Sequence, residues 1–245
     1  MLLNVDARQL EWVCAMYWAQ DAIGMQEIIA GEDIHGNNQS RFKLPTRLAA
    51  KALCFKIIYG GSGYGFATDP DTSLIGNEKF WDDTIQQFYQ KYKGLHAWHQ
   101  QLFERVTLSA GQLDLPTGRS YTFSPTLRRG AGSRGEVNYP RTKILNYPVQ
   151  GLAADLMAIA RVSLYKRIKA LGINGILFVN TVHDSVVLDI PLDIWNETCY
   201  TIRDTVEEVF QDIPRNFERL FDLEFNIPLK AEITYGDNWG EMKEF

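Results

Sequence analysis

At 245 residues, with 45% apolar and 12% aromatic side chains, the chain holds enough core material for one compact unit or two small ones and is too hydrophobic to be disordered. Its formal charge of −5, from 25 basic and 30 acidic residues, does not by itself suggest a polyanion partner, and no apolar run is long enough to cross a bilayer. The opening "MLLNVDARQLEW" lacks a basic segment followed by a long apolar one, so a protein without membrane contact is expected in the cytoplasm, or in a host cytoplasm if viral.

In chain order, Leu2 to Ala7 reads as a short strand ending at Asp6, followed by a helix over about Gln9 to Gln20 with Leu10, Val13, Cys14 and Tyr17 on one side. Pro45 just inside the start, Ala and Leu in the middle and Gly60-Gly61 at the end predict a helix over residues 45–60. The Gly/Ser-rich "GGSGYG" reads as a turn, and Glu78 to Glu104 as a helical stretch broken at Gly94, with Phe80, Trp81, Phe88, Tyr89 and Tyr92 as core or interface. "SAGQLDLPTGRSYTF" alternates around a Pro-Thr-Gly turn and predicts a hairpin. A second helix is expected from Pro148 to Ala170, and "GILFVNTVHDSVVLDIP" predicts a second hairpin hinged at His183-Asp184. A helix from Asp193 to Phe210 and a strand from Pro228 to Thr234 close the chain. Strands at both ends around a helical middle predict an α+β fold, an antiparallel sheet carrying a large, mostly helical insertion. Cys14, Cys54 and Cys199 are odd in number and far apart, which argues against a disulfide framework or a CxxC metal site.

Within "RLAAKALCFKIIYGG", Arg47, Lys51, Phe55 and Tyr59 recur every four residues and so share one broad helix face. Taken singly, the aromatics fit core positions and the cations a solvated edge. Arg47, however, falls in the first turn, where the positive end of the macrodipole disfavours a cation unless an anion binds. A row running roughly 18 Å from two cations to an aromatic, at about 1.5 Å per residue, has the length of an extended nucleoside triphosphate. Asp6 ends one strand segment, and Asp184 sits at the turn of a hairpin far away in sequence. If those strands are neighbours, their carboxylates repel unless a hard divalent cation lies between them, which with phosphate substrates points to Mg²⁺. Each aspartate alone also fits a turn or strand terminus. Between Arg119 and Lys143 stand six basic residues (Arg119, Arg128, Arg129, Arg134, Arg141, Lys143) against one acid, Glu136. That stretch suits either a phosphate backbone or a solvated loop.

The pattern Arg47-xxx-Lys51-xxx-Phe55-xxx-Tyr59-Gly60 resembles the nucleotide-binding helix of family A DNA polymerases, the DNA polymerase I type. "NVDARQLEW" and "TVHDSVVLD" resemble the family's first and last palm motifs, "NYPVQGLAADLM" its primer-template helix, and "PLKAEITYGDNWGEMK" its C-terminal strand and Trp-containing end, so the likeness covers almost the whole chain. The resemblance implies a palm formed by residues 1–11 and 149–245 and fingers formed by 12–148. It implies template-directed DNA synthesis, with dNTPs added to a primer 3′-hydroxyl on primer-template DNA through two Mg²⁺ ions held by Asp6 and Asp184. Arg47 and Lys51 would bind the triphosphate. Glu11 would lie beneath the sugar and exclude a 2′-hydroxyl, Phe55 would pack beside sugar and base, and Tyr59 would stack near the template base. Asn146 and Gln150 would touch the minor-groove side of the new pair, His183 the primer end, and Arg119 the template backbone.

Two departures from the family pattern stand out. Ser185 replaces the Glu that typically follows the second aspartate, and Met1 lies five residues before Asp6, where family members have a thumb, the opening of the palm and often an exonuclease. The expectation is a split polymerase, of a phage type to judge from "DIHGNNQSRFKLPTR", with thumb and any exonuclease on a second polypeptide. A minimal polymerase working alone, and a degenerate, non-catalytic DNA-binding subunit for which Ser185 speaks, are the alternatives.

Overall fold

The computed structural model describes residues 1–127 and 137–245. Arg128, Arg129, Arg134 and Glu136, four of the residues singled out in the basic stretch, lie outside the described residues. The elements run β1 (Leu2–Ala7), α1 (Leu10–Ala19), α2 (Ala22–Ala30), α3 (Ile34–Phe42), α4 (Arg47–Ile58), α5 (Gly63–Thr68), α6 (Glu78–Lys91) and α7 (Lys93–Leu108). They continue with β2 (Gln112–Asp114), β3 (Ser120–Thr122), β4 (Thr126–Leu127), β5 (Val137–Asn138), α8 (Arg141–Ala170), β6 (Leu177–Val182), β7 (Ser185–Asp189), α9 (Leu192–Gln211), α10 (Ile213–Phe221), β8 (Ala231–Gly236) and β9 (Lys243–Glu244). Two compact units result: Met1–Leu10 with Leu152–Phe245, and Glu11–Gly151.

The first unit is built on a five-stranded antiparallel sheet in the order β6-β7-β1-β8-β9. Strict alternation along β1 puts Leu3, Val5 and Ala7 in the core and leaves Leu2, Asn4 and Asp6 half-buried on the other face. β7 pairs with both β6 and β1 and is buried from Ser185 through Leu188. α9 lies against β8, with Trp195 5.1 Å from Tyr235 between ring centroids, and Phe217 of α10 meets Phe225 at 5.2 Å.

The second unit is mostly helical, around a cluster in which Trp12, Phe88 and Tyr92 meet edge to face or tilted and Phe66 stacks on Trp81 at 4.6 Å. The chain is thus α+β, an antiparallel sheet and a helical insertion, as the sequence pattern predicts. Beneath α4 lies a buried polar network. Lys91 Nζ sits 2.6 Å from Glu27 Oε1 and donates to Asn38 Oδ1 at 2.7 Å, while Tyr92 donates to Glu27 Oε2 at 2.7 Å. Asn38 in turn donates to Cys54 Sγ and to the Tyr92 hydroxyl, so α3, α4 and α6 share one set of hydrogen bonds. Burial pushes the Cys54 thiol up to about 12 and keeps it protonated.

Several boundaries differ from the sequence reading. α4 begins at Arg47 rather than Pro45, because Thr46 caps it by accepting from the Ala49 amide at 3.1 Å. It ends as read: Gly60, at φ +80, and Gly61 return their amides to Ile57 and Lys56, a Schellman closure. The break between α6 and α7 falls at Tyr92 and not Gly94. Gly94 is needed for a close approach, since a Cβ there would lie 2.7 Å from Asp21 Cα. α8 starts seven residues before Pro148, because the apolar spacing of Ile144, Leu145, Val149, Leu152 and Leu156 runs through the proline. Ser62 turns part of the "GGSGYG" segment into α5 by capping it, and the last long strand is Ala231–Gly236, three residues later than expected. Among the described residues no helix is long and apolar enough to cross a membrane.

Lys91 and Glu27 are both about nine-tenths buried, so truncating one strands the other's charge. Glu27→Ala is expected to lower the unfolding free energy by about 3–5 kcal/mol in urea titrations. A loss near zero would show that Lys91 reaches water without its partner.

Candidate functional site

α4 sorts its side chains by face. Ala49, Ala50, Leu53, Cys54, Ile57 and Ile58 are buried, whereas Arg47 and Lys51 are exposed and Phe55 and Tyr59 half-buried. The four-residue row is therefore the accessible face of the helix, not part of its core. Arg47 is the first helical residue and pairs with Asp33, its Nη2 lying 2.8 Å from Oδ1. That guanidinium draws the Asp33 carboxyl down to about 2. Lys51 Nζ stands 5.7 Å from the centre of the Phe55 ring.

His35, which the sequence reading passed over, flanks this row. Its ring centroid is 6.2 Å from that of Phe55, it is almost fully buried, and its Nδ1 finds no hydrogen-bond partner among the described residues. Burial first, then the charges of Arg47 and Lys51, pull its pKa down to about 4, so the imidazole is neutral near pH 7. The signal was its place two residues after Asp33 in "DIHGNN", whose mixed polarity hid the short helix α3.

At the other end of α4, three expected site residues meet. Gln150 Nε2 donates to the Tyr59 hydroxyl at 2.7 Å, and burial, with the nearby Glu11 charge, holds that phenol well above its ordinary pKa. Glu11 lies in the first turn of α1, and α1 is tied to α8 by the Trp18 indole donating to the Pro148 carbonyl at 3.0 Å. Asn146 stands half-buried on α8, one turn before Gln150. The expected hairpin, β2 and β3, packs on this helix: Tyr121 and Phe123 lie 5.5 and 5.6 Å from Tyr147. A Cβ on Gly151 would lie 3.0 Å from Arg119 Cδ, so Arg119 also lies against α8. Of the other basic residues, Arg141 covers the Phe103 ring at 4.8 Å and Lys143 is exposed.

The carboxylates belong to the sheet unit. Asp6 pairs in register with Ser185, and the Ala7 amide donates to the Asp184 carbonyl at 2.9 Å, so the two aspartates reach the same end of neighbouring strands. His183 and Asp184 form the two-residue loop of the β6–β7 hairpin, with His183 left-handed at φ 51 and exposed. On the other side of β1, Glu232 of β8 is paired with Asp6 in register and lies 3.3 Å from Arg8. Ser185 is buried and donates to the Val182 carbonyl at 3.0 Å, which gives its hydroxyl a place within the hairpin. Among the described residues no three His, Cys, Asp or Glu side chains gather as a cage. Two half-buried carboxylates at a strand end fit a hard divalent cation that completes its shell with water and phosphate oxygens.

A buried histidine held neutral stabilises the fold only while it stays unprotonated. Between pH 6.5 and about 4 the unfolded chain takes up a proton at His35 that the folded chain refuses, so stability falls with pH across that window. His35→Gln is expected to remove this part of the slope in urea unfolding at pH 7, 5.5 and 4.5. Identical slopes would place His35 in contact with water.

The family model described as DNA polymerase family A matches residues 1–241. The thermostable DNA polymerase I of Thermus filiformis is 27% identical over 252 residues, covering 100% of this chain and 27% of that protein. DNA polymerase I of Lactococcus lactis subsp. lactis is 25% identical over 252 residues, covering 99% and 26%. The chain thus spans about a quarter of the length of these curated relatives. Among solved structures, the POL domain of Pol1 from M. smegmatis, in complex with DNA primer-template and dNTP, aligns with a TM-score of 0.74 at 21% identity over 97% of this chain and 40% of that one.

Proposed function

Since the chain belongs to DNA polymerase family A, we propose that it carries the nucleotide-binding and catalytic parts of a template-directed DNA polymerase, adding dNTPs to a primer 3′-hydroxyl on primer-template DNA. The observation that carries this reading is the accessible face of α4, where two cations and two half-buried aromatics stand in one row. Residues 12–148 act as fingers, and residues 1–11 with 149–245 as palm.

In this reading Arg47 and Lys51 grip the triphosphate and neutralise charge that grows as the phosphoryl group transfers. Phe55 packs beside sugar and base, and Glu11 closes the space beneath the sugar against a 2′-hydroxyl. Tyr59, steadied by Gln150, presents its ring to the template base. The Gln150 amide nitrogen is committed to Tyr59, so its carbonyl oxygen, together with Asn146, faces the minor-groove edge of the new pair. His183 meets the primer end and Arg119 the template backbone. Asp6 and Asp184 would hold two Mg²⁺ ions, which supply Lewis-acid stabilisation of the attacking and leaving oxygens. The Ser185 hydroxyl donates to the Val182 carbonyl and brings no negative charge to a metal.

The split arrangement belongs to the same proposal: a second polypeptide supplies the thumb and any exonuclease, in a phage-type, cytoplasmic replication setting. Its support is β6, an edge strand that exposes Leu177 at 59% and Val179 at 50%, apolar surface of the kind that a partner covers.

Primer extension with Mg²⁺ and four dNTPs tests the catalytic assignment. The native chain, alone or with its co-purifying partner, is expected to extend the primer, and Asp184→Ala to lose at least about a hundredfold, the scale of removing one preorganised electrostatic group. Equal extension by the variant would take the chemistry away from this strand end.

A further inference from the structure

An anion is already seated at the first cation of the α4 row. The Arg47 guanidinium grips Asp33 along an edge, Nε lying 3.1 and 3.0 Å from the two carboxylate oxygens and Nη2 2.8 Å from Oδ1. The place is built. Asp33 stands at the N-cap of α3, the helix that also brings His35 to the row, and Gly36 makes room for it: a Cβ there would lie 2.5 Å from Oδ2. His35 adds an independent sign of a ligand, an imidazole 96% buried by its 4% exposure, lying beside Phe55 with an unpartnered Nδ1. Arg47 opens α4, where the helix end favours negative charge, and is the cation of the row farther from the aromatics, so the carboxylate occupies a guanidinium assigned above to the triphosphate. Lys51, one turn along, stands over Phe55 instead.

We propose that Asp33 is a placeholder for the terminal phosphate of a nucleoside triphosphate, holding the Arg47 fork until the incoming phosphate displaces it. The proposal rests on the nucleotide reading of α4. Carboxylate and phosphate use the same pair of donors, so they compete for one fork. A diphosphate, one phosphate shorter, reaches Lys51 and leaves the Arg47–Asp33 pair intact. A triphosphate has to break it. Until then the guanidinium is kept oriented and its charge answered.

Calorimetric titration of the full chain with dATP and with dADP, in Mg²⁺ buffer, tests this. Asp33→Asn is expected to tighten dATP binding roughly two- to fivefold, the scale of an exposed ion pair, and to leave dADP unchanged. The gain should vanish when Asp33→Asn is combined with Arg47→Ala. Unchanged or weaker dATP binding in Asp33→Asn would overturn the placeholder, and an equal gain for dADP would reduce Asp33 to a diffuse charge. Failure of the nucleotide reading looks different: Arg47→Ala alone would then leave dATP binding to the chain as it was, and the placeholder would fall with it.

Discussion

A cation in the first turn of a helix faces the positive end of the helix dipole, and the arrangement around α4 follows from that one conflict. Arg47 occupies the position, with Lys51 a turn later, because the opposite face of α4 is committed to the core through Ala50, Leu53, Cys54 and Ile57. The row cannot rotate inward without exposing those residues. The conflict is met from outside by Asp33, and α3 is held in reach by Asn38, which is fully buried and bonded to Cys54. The Lys91–Glu27 pair completes that network below. Buried charge of this kind adds little net stability, and the network joins Glu27, Asn38, Cys54 and Lys91 across four helices beneath the row.

The sheet imposes a second constraint, that of register. Successive β residues point to opposite faces, so a slip of one residue between β1 and β7 would carry Asp6 into the core and Val5 out of it. The pairing of Leu3 with Leu188 and Val5 with Val186 prevents this and thereby sets Asp6 and Asp184 at one strand end. Hydrophobic packing on one face thus positions the polar chemistry on the other.

Much of this was legible in the sequence where one local signal dominates. The spacing of four in α4, its Gly-Gly stop, the Pro-Thr-Gly hairpin and the hinge at His183-Asp184 all rest on short-range patterns that tertiary contacts then use. The errors have a common cause. Gly94 and Pro148 read as breaks, yet Gly94 is small because Asp21 approaches it, and the proline sits inside a helix whose apolar face is continuous. Short helices such as α3 and α5 lack a full apolar stripe and were invisible for that reason. So His35, carried by α3, was missed, as was the partner that Arg47 finds in Asp33: both depend on contacts between helices that no periodicity encodes. Ser185 reads as a lost acidic ligand, whereas in the fold its hydroxyl is absorbed by the hairpin.

Whether α4 is a nucleotide-binding surface is tested most directly by equilibrium binding of dATP with Mg²⁺ to the native chain and to Lys51→Ala. Losing one charge-assisted hydrogen bond to phosphate costs about 1.5–3 kcal/mol, so the variant is predicted to bind at least about tenfold more weakly. Equal affinities would contradict the assignment of this helix and, with it, the reading of the site.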